Sequence, residues 1–313
     1  MANTLLLKNT LVKDLAWAIT SPPIIQGQKH LINWTKTSDW TQAYENFKPQ
    51  LKALDQDPSK LTQLLNKQND YRLGHYFETL LRYWFEHNDR YQLLIQNLQI
   101  RDAGKTLGEF DFIVKDAVSG NVQHWEVACK FYLGIKNTPQ HLCWVGPMLK
   151  DRLDIKYKSM QTRQSKLSAH PIAKQQLQQL NISIDEHVCL MKGRLFHPID
   201  TSSSTLPQLI ANTHQRGQWV RANHFLENFK SSAFQWQPLT KNQWLASQPY
   251  NANETYYRAE DILQYFLDKT PSGPLCLSGF LPGQSTPHEV KRIFLVGKDW
   301  ANTFNFNDNT VLT

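Results

Sequence analysis

Cysteine is scarce in this sequence. Four occur in 313 residues, Cys129, Cys143, Cys189 and Cys276, none at C-x-x-C spacing and none beside a histidine cluster. That pattern argues against a thiolate zinc site and against a disulfide scaffold. Three of the four stand in apolar, strand-like text, where a thiol packs as a small hydrophobe, and a reducing compartment is expected. Long apolar runs are missing too. No stretch approaches the ~18 apolar residues of a membrane span. Lys8 interrupts the first apolar stretch after three leucines, and no small-residue cleavage site follows, so no leader is read. The expectation is a cytoplasmic protein without a membrane partner. A helical metalloprotease histidine pair, a P-loop, a nucleophile elbow and a dinucleotide fingerprint are all absent, as are internal repeats.

What is present is ordinary globular material, 41% hydrophobic and 19% charged, with a net charge of +7 and a pI of about 9.1. The length suffices for one large domain or a core with an attachment. A basic balance favours anionic partners, of which nucleic acid is the commonest. From charge alone, a mildly basic protein with no such partner fits equally. Residues 1–65 read as a helical cap, with Trp17, Trp34 and Trp40 spread through it and Pro22-Pro23 as a break. Residues 66–200 carry the clearest pattern: helix, strand, strand, helix, helix, strand. The turn-rich stretch Thr201-Ser-Ser-Ser-Thr205 before Pro207 marks a linker or long loop. Residues 201–313 form a smaller α+β extension with strand-like runs at Pro274–Leu281 and Lys291–Val296.

The chemistry concentrates in two strands. In Gly108-Glu-Phe-Asp-Phe-Ile-Val114, Phe110, Phe112 and Val114 alternate with Glu109, Asp111 and Ile113. In His124-Trp-Glu-Val-Ala-Cys-Lys-Phe131, Trp125, Val127, Cys129 and Phe131 share one face, and His124, Glu126, Ala128 and Lys130 the other. Asp116–Asn121 between them suits a hairpin loop. Pairing Lys115 with Val122 sets Ile113 opposite His124 and Asp111 opposite Glu126. A slip of one residue would put the apolar rows on opposite faces. A slip of two is not excluded by pattern.

Opposed carboxylates repel by roughly 1 kcal/mol at about 4 Å in water, and by about 4 kcal/mol at an effective dielectric of 20. Such a pair persists if one carboxyl is protonated, if a cation sits between them, or if both point into solvent at an exposed edge. Oxygen-only ligands suit Mg²⁺ or Mn²⁺. Upstream, Tyr71–Phe85 has helical spacing, with Leu73, Phe77, Leu80 and Trp84 as its core stripe. Glu78 lies on the flank shared by Gly74, where a missing side chain would let another backbone approach. An isolated helical Glu there is a solvated flank; only the company of Asp111 and Glu126 raises it.

Helix Glu, strand Asp, then strand Glu followed by Lys is the order of the PD-(D/E)XK phosphodiesterase superfamily. More closely, four segments resemble an uncharacterised bacterial family, domain of unknown function 1853. They are Gly74–Trp84, Gly104–Val114, His124–Gly134 and Trp144–Val-Gly-Pro-Met-Leu-Lys-Asp-Arg-Leu-Asp-Ile-Lys156. The likeness is strong over residues 70–200 and loose elsewhere. The superfamily resemblance implies a restriction-endonuclease-like α/β core, a mixed central sheet flanked by helices. It implies a metal-dependent nuclease acting on DNA ahead of RNA. It further implies that Asp111 and Glu126 hold Mg²⁺ or Mn²⁺, that Glu78 completes the site or binds a metal water, and that a Lys stabilises the attacking water or the pentacovalent charge.

One departure stands out. The superfamily pattern is E-x-K, and Ala128 occupies the Lys position. Lys130 lies on the face of Glu126 but about 13 Å away along the strand, at ~3.3 Å per residue. A leaning side chain or a bulge would bring it back; Lys115 is another candidate, at the wrong end. Glu109 either adds a ligand or pairs with Lys130, the plainer account. Arg152, Lys156 and Arg163 recur at helical spacing after Gly146-Pro147, a stripe able to track a phosphate backbone or to serve as an ordinary solvated face. Val188–Phe196 reads as a strand, with Lys192 and Arg194 sharing a face that reaches nucleic acid or lines the surface. The rival functional reading is a non-catalytic nucleic-acid-binding or interaction protein on a degenerate nuclease fold.

Overall fold

A computed structural model of the protein describes residues 5–27, 32–68, 70, 72–135, 142–200, 206–269, 273–282, 288–304 and 306. The linker expected at Thr201–Thr205 lies outside the described residues. The fold is α/β, with a mixed sheet flanked by helices. It divides into two compact units. One comprises Met1–Lys130, Ile155–Gly193 and Leu209–His214; the other comprises Phe131–Asp154, Arg194–Gln208 and Gln215–Thr313.

In the first unit, α1 (Thr10–Thr20) begins where the Asn9 side chain accepts the N–H groups of Leu11 and Val12, satisfying donors that the helix itself leaves open. α2 (Thr37–Gln56) buries Trp40, Tyr44, Phe47, Leu51 and Leu54 at helical spacing. After α3 (Ser59–Asn66), α4 (Leu73–His87) buries Phe77, Thr79, Leu80, Leu81, Tyr83, Trp84 and Phe85, a face wider than the stripe read from the sequence, whose first member Leu73 is only half-buried.

Strands β2 (Tyr91–Asp102), β3 (Lys105–Asp116) and β4 (Val122–Gly134) run as an antiparallel meander. Next to β4 lies β6 (Glu186–Pro198), which pairs in parallel with the short β1 (Asn33–Trp34). β2 escaped the sequence reading. Its apolar residues are bunched as Leu93-Leu-Ile95, its register shifts between Leu93 and Ile95, and Asn97 has a φ of 53°, so no period of two survives.

The β3–β4 hairpin closes on Asp116. Its carbonyl accepts the Gly120 N–H, its carboxylate accepts the Val118 N–H, and Gly120 has a φ of 78°, a conformation that suits glycine. The expected register holds: Lys115 faces Val122 and Ile113 faces His124. The ladder then reaches Phe112 opposite Trp125 and stops.

Alternation along β3 breaks at the same place. Phe112 packs on Phe85 of α4, at 5.1 Å between centroids. Phe110, expected beside it, instead meets His124 at 4.7 Å and joins Ile113, Leu167 and Leu177 in one cluster. Asn97, which falls between the pairs Gln96–Phe112 and Leu98–Phe110, carries the positive φ. β3 thus turns about Asp111 as it leaves β4.

Below the sheet run α5 (Leu153–Ser159), a π-helical turn at Met160–Gln164 and α6 (Pro171–Gln179). On β6, Lys192 is fully buried. Its ammonium donates to the carbonyls of Ala18 and Ile19 at 2.6 and 3.0 Å, at the end of α1, and lies 3.4 Å from the Trp40 ring centroid. Burial pushes the Lys192 amine well below the ordinary lysine range, and its place at the end of α1 under the Trp40 ring corrects the expectation of a surface lysine. Gly193 follows with a φ of 135°, and a Cβ on it would lie 1.7 Å from the Lys130 carbonyl oxygen. Only glycine fits.

In the second unit, the end of β6 pairs in parallel with β7 (Gln215–Arg221), and β7 with β10 (Glu289–Val296). β9 (Leu275–Phe280) runs antiparallel to β10, and β8 (Gln235–Leu239) antiparallel to β9. β9 and β10 are the two strands expected from the sequence. β5 (Trp144–Val145) pairs with the end of β4. α7 (Ala222–Phe229) and α8 (Ala259–Asp268) bury Phe225, Phe229, Ile262 and Phe266 against Trp236, Leu277 and Ile293. Trp219, Trp236 and Trp244 are buried core residues. Arg292, 3% exposed, donates to both oxygens of Glu289 and to the carbonyls of Trp244 and Ala246. Arg194 also turns inward, to the Gln215 side chain and the Arg216 carbonyl.

Candidate active site

The turn of β3 away from β4 leaves a backbone N–H without a ladder partner, and Asp111 takes it: Oδ2 accepts from Val127 at 2.9 Å. Asp111 is thereby drawn beside Glu126. Glu126 is 1% exposed. Its Oε1 accepts from the Gln164 side chain and lies 3.6 Å from the Lys156 ammonium. Its Oε2 is buried and, among the described residues, meets no N–H or hydroxyl donor; the Asp111 carboxyl lies within hydrogen-bond reach of Glu126. An ionised oxygen so placed forfeits both water and a donor.

Lys156 also donates to Gln164 Oε1 at 3.1 Å, and Ser159 donates to the same oxygen at 3.1 Å. The π-turn brings Gln164 into this position; such one-residue expansions of a helix concentrate at functional sites.

Glu78 comes from the first turns of α4. His75 Nδ1 stands 3.1 Å from its Oε2, and Arg72, held by Asp70, contributes positive charge. A Cβ at Gly74 would meet nothing nearer than Glu78 Oε1 at 4.0 Å. The close backbone approach expected there does not occur; the glycine leaves space over the carboxylate. Glu109 accepts from Gln99 at 3.4 Å, and its charge acts on both Glu78 and Asp111.

The electrostatics follow from four acids around one lysine. Burial, reinforced by the charges of Glu109 and Glu126, pushes Glu78 up to about 7. Burial raises Asp111 against the pull of its Val127 hydrogen bond, with Glu78 adding to the rise. Burial and the neighbouring Asp111 raise Glu126, and Lys156 opposes them. Desolvation and like charge act in the same direction at all three positions. The cluster accepts a proton or a cation more readily than isolated carboxylates do.

The sequence-predicted residues divide accordingly. Glu78, Asp111 and Glu126 come together. Lys156, expected on a phosphate-tracking stripe, turns into the cluster. Arg163 stays exposed and donates to Ser159. In the other unit, Arg152 forms a two-point pair with Asp154 and lies over Phe306. No single open stripe of the three forms. Lys130 is half-buried at the end of its unit, and Ala128, at the E-x-K position, is buried. Gln164 was not anticipated; nothing in the text Met160-Gln-Thr-Arg-Gln164 distinguishes a π-turn from a polar helix face.

A family model described as a domain of unknown function (DUF1853) matches residues 13–296. The chain belongs to that family. Comparison with curated proteins and with solved structures finds no match.

Among the described residues, no group of three or more His, Cys, Asp or Glu side chains is arranged to hold a metal ion. Asp111 and Glu126 fit as a pair of hard oxygen donors, one of them with a buried oxygen that meets no N–H or hydroxyl donor among the described residues. Mg²⁺ retains several waters and commonly takes one or two carboxylates, so a pair suffices for a first attachment. Also among the described residues, no helix is long and apolar enough to cross a membrane.

Proposed function

We propose that this DUF1853 chain is a divalent-metal-dependent phosphodiesterase of the PD-(D/E)XK kind, acting on nucleic acid and on DNA ahead of RNA. The supporting observation is the convergence of Glu78, Asp111 and Glu126 with Lys156 at the point where β3 turns from β4, with Glu126 Oε2 meeting no N–H or hydroxyl donor among the described residues. Asp111 and Glu126 would hold Mg²⁺ or Mn²⁺, which when bound polarises a phosphoryl oxygen and activates water. The remaining roles belong to the chain. Lys156 holds positive charge beside Glu126, where a phosphorane would gather charge. Glu78, poised near neutrality and oriented by His75, is suited to receive a proton at physiological pH. Gln164 fixes the rotamer of Glu126. In this reading Lys156 fills the role that the E-x-K pattern assigns to a strand lysine, and Lys130 is secondary.

Supercoiled plasmid and short duplex, single-stranded and RNA substrates incubated with millimolar Mn²⁺ or Mg²⁺ provide the test. Cleavage that is lost in Asp111→Ala and in Glu126→Ala, with folding retained, is the expected result. Undiminished cleavage in Asp111→Ala would sink the assignment.

A second reading, a non-catalytic nucleic-acid-binding protein on a degenerate nuclease fold, draws on one observation. Lys156 already sits 3.6 Å from Glu126, and an ammonium there competes with a metal. Calorimetric titration with Mn²⁺ separates the two: no binding at millimolar metal favours this second reading.

A further inference from the structure

Three exposed arginines on separate elements of the first unit are tied to the acid cluster by short chains of hydrogen bonds. Arg72 caps the start of α4. Its Nη2 stands 2.8 Å from His75 Nε2, and His75 Nδ1 stands 3.1 Å from Glu78 Oε2. Arg101 lies near the tip of the β2–β3 hairpin. Its Nη2 donates to Gln99 Oε1 at 2.6 Å, and Gln99 donates to Glu109 Oε2 at 3.4 Å. Arg163 lies on the π-turn. Its Nη2 donates to Ser159 at 3.3 Å, Ser159 donates to Gln164 at 3.1 Å, and Gln164 donates to Glu126.

Each chain engages Nη2 and fixes where the guanidinium sits. Among the described residues, Nη1 of all three arginines makes no hydrogen bond. An arginine that serves the fold is different: Arg292 donates through Nε, Nη1 and Nη2 alike, all within the chain. A planar fork held at one edge and open at another suits the paired oxygens of a phosphate.

Charge ranks the three. Lys156–Lys166 carries four cations, Lys156, Lys158, Arg163 and Lys166, and no acid. Asp102 follows Arg101 in the chain, and Asp70 accepts from Arg72 Nε at 2.7 Å. Arg163 meets the least competition for an anion, and Arg72 the most. The chains end on Glu78, Glu109 and Glu126, different members of the cluster. Phosphates taken at the arginines would therefore flank one seated among the acids.

Resting on the reading of the acids as a phosphodiester-cleaving site, we propose that Arg72, Arg101 and Arg163 seat the phosphates of one nucleic-acid strand on both sides of the bond to be cut. The substrate is then an internal linkage of a polynucleotide, not a strand end or a free nucleotide. The arginines are positioning residues that act on the neighbouring phosphates.

Binding is measured apart from cutting, by fluorescence anisotropy of a labelled single DNA strand with the full chain and no metal. Log affinity is plotted against log salt between about 50 and 200 mM. Arg72→Gln, Arg101→Gln and Arg163→Gln should each flatten the slope by about 0.7, and the triple variant by about 2, as expected for single-strand phosphate contacts. Arg163→Gln should weaken binding most. The corresponding Arg→Lys variants keep the charge and should keep the slope. Lys52→Gln removes an exposed cation on α2, outside these chains, and should leave the slope unchanged. A closed circular strand should compete as well as a linear one, and a mononucleotide far more weakly. The proposal is overturned if the parent binds no strand, if the three Gln variants keep the parent slope, if the Lys variants or Lys52→Gln lose as much as they do, or if only linear strands or mononucleotides compete. Cleavage with Mn²⁺, assayed separately, judges the underlying reading. Arginine-dependent binding without cutting removes that reading and leaves the strand contacts; cutting with unchanged slopes does the reverse.

Discussion

Two buried groups of charges in this molecule obey opposite rules. In the second unit, Arg292 and Glu289 form a closed account. Both carboxylate oxygens meet the guanidinium at 2.6 and 2.5 Å, and Glu289 Oε2 also accepts the Gln248 N–H. In the first unit, Glu126 is as deeply buried, yet its neighbours are other acids, one oxygen meets no N–H or hydroxyl donor among the described residues, and the Lys156 ammonium stands 3.6 Å off. Opposite charges with both carboxylate oxygens hydrogen-bonded hold the fold together. Like charges with an oxygen that meets no donor work against the fold and favour uptake of a proton or a cation. Perturbed acids of this second kind cluster at functional sites.

The sharpest way to break the comparison is to remove one member from each group. Arg292→Ala leaves a buried carboxylate alone and is expected to lower unfolding free energy by about 3–5 kcal/mol in urea titrations. A loss no larger than that of a surface substitution would erase the contrast.

Asp111→Asn should act oppositely. With the repulsion relieved, the metal-free protein gains roughly 2 °C or more in melting temperature at pH 8, and less at pH 5. The sign follows from the raised carboxyls. A folded-state pKa above the unfolded value contributes stability in acid. That contribution is lost as pH climbs from the unfolded carboxyl range through the folded value, about 7 for Glu78. Parent protein without metal should therefore melt lower at pH 8 than at pH 5, and millimolar Mn²⁺ should restore more at pH 8.

Next in size comes the lysine. Lys156→Gln should reduce metal-dependent cleavage by about 10–100-fold, a range typical of groups that support a metal site, and move the pH profile upward by withdrawing the charge that opposes Asp111 and Glu126. Lys130→Gln is expected to change the rate less; the reverse ranking would return the role to the strand lysine. The smallest effect belongs to Glu109→Gln, which removes a charge felt by Glu78. It should lower the Glu78 titration midpoint, read by carboxyl ¹³C NMR, with little change in stability.

Part of this was legible in the sequence because it rests on local rules. Hairpin register follows from period-two patterning and loop length, so Ile113 opposite His124 could be placed by counting. The helical stripe of α4 and the strands β9 and β10 follow likewise from periodicity. What could not be read are the departures from periodicity. The bunched apolar residues of β2 hide a strand, and the positive φ of Asn97 carries no mark in the text. The turn of β3 that sends Phe110 and Phe112 to different neighbours needs a partner strand to be seen. The same holds for the cation. Arg152, Lys156 and Arg163 look alike at helical spacing, and tertiary packing alone separates the one facing Glu126 from the one held by Asp154.

The π-turn at Met160–Gln164 has a consequence for how this segment can change in length. A π-turn holds one residue more than an α-turn needs, so deleting a single residue there would let the chain relax into regular helix. Everything C-terminal to the deletion would then rotate by about 100° relative to α5. Gln164 would swing off Glu126, although each side chain of the site remained in the sequence. The spacing between Lys156 and Gln164 therefore decides whether Gln164 reaches Glu126, more than the identities of the polar residues between them do.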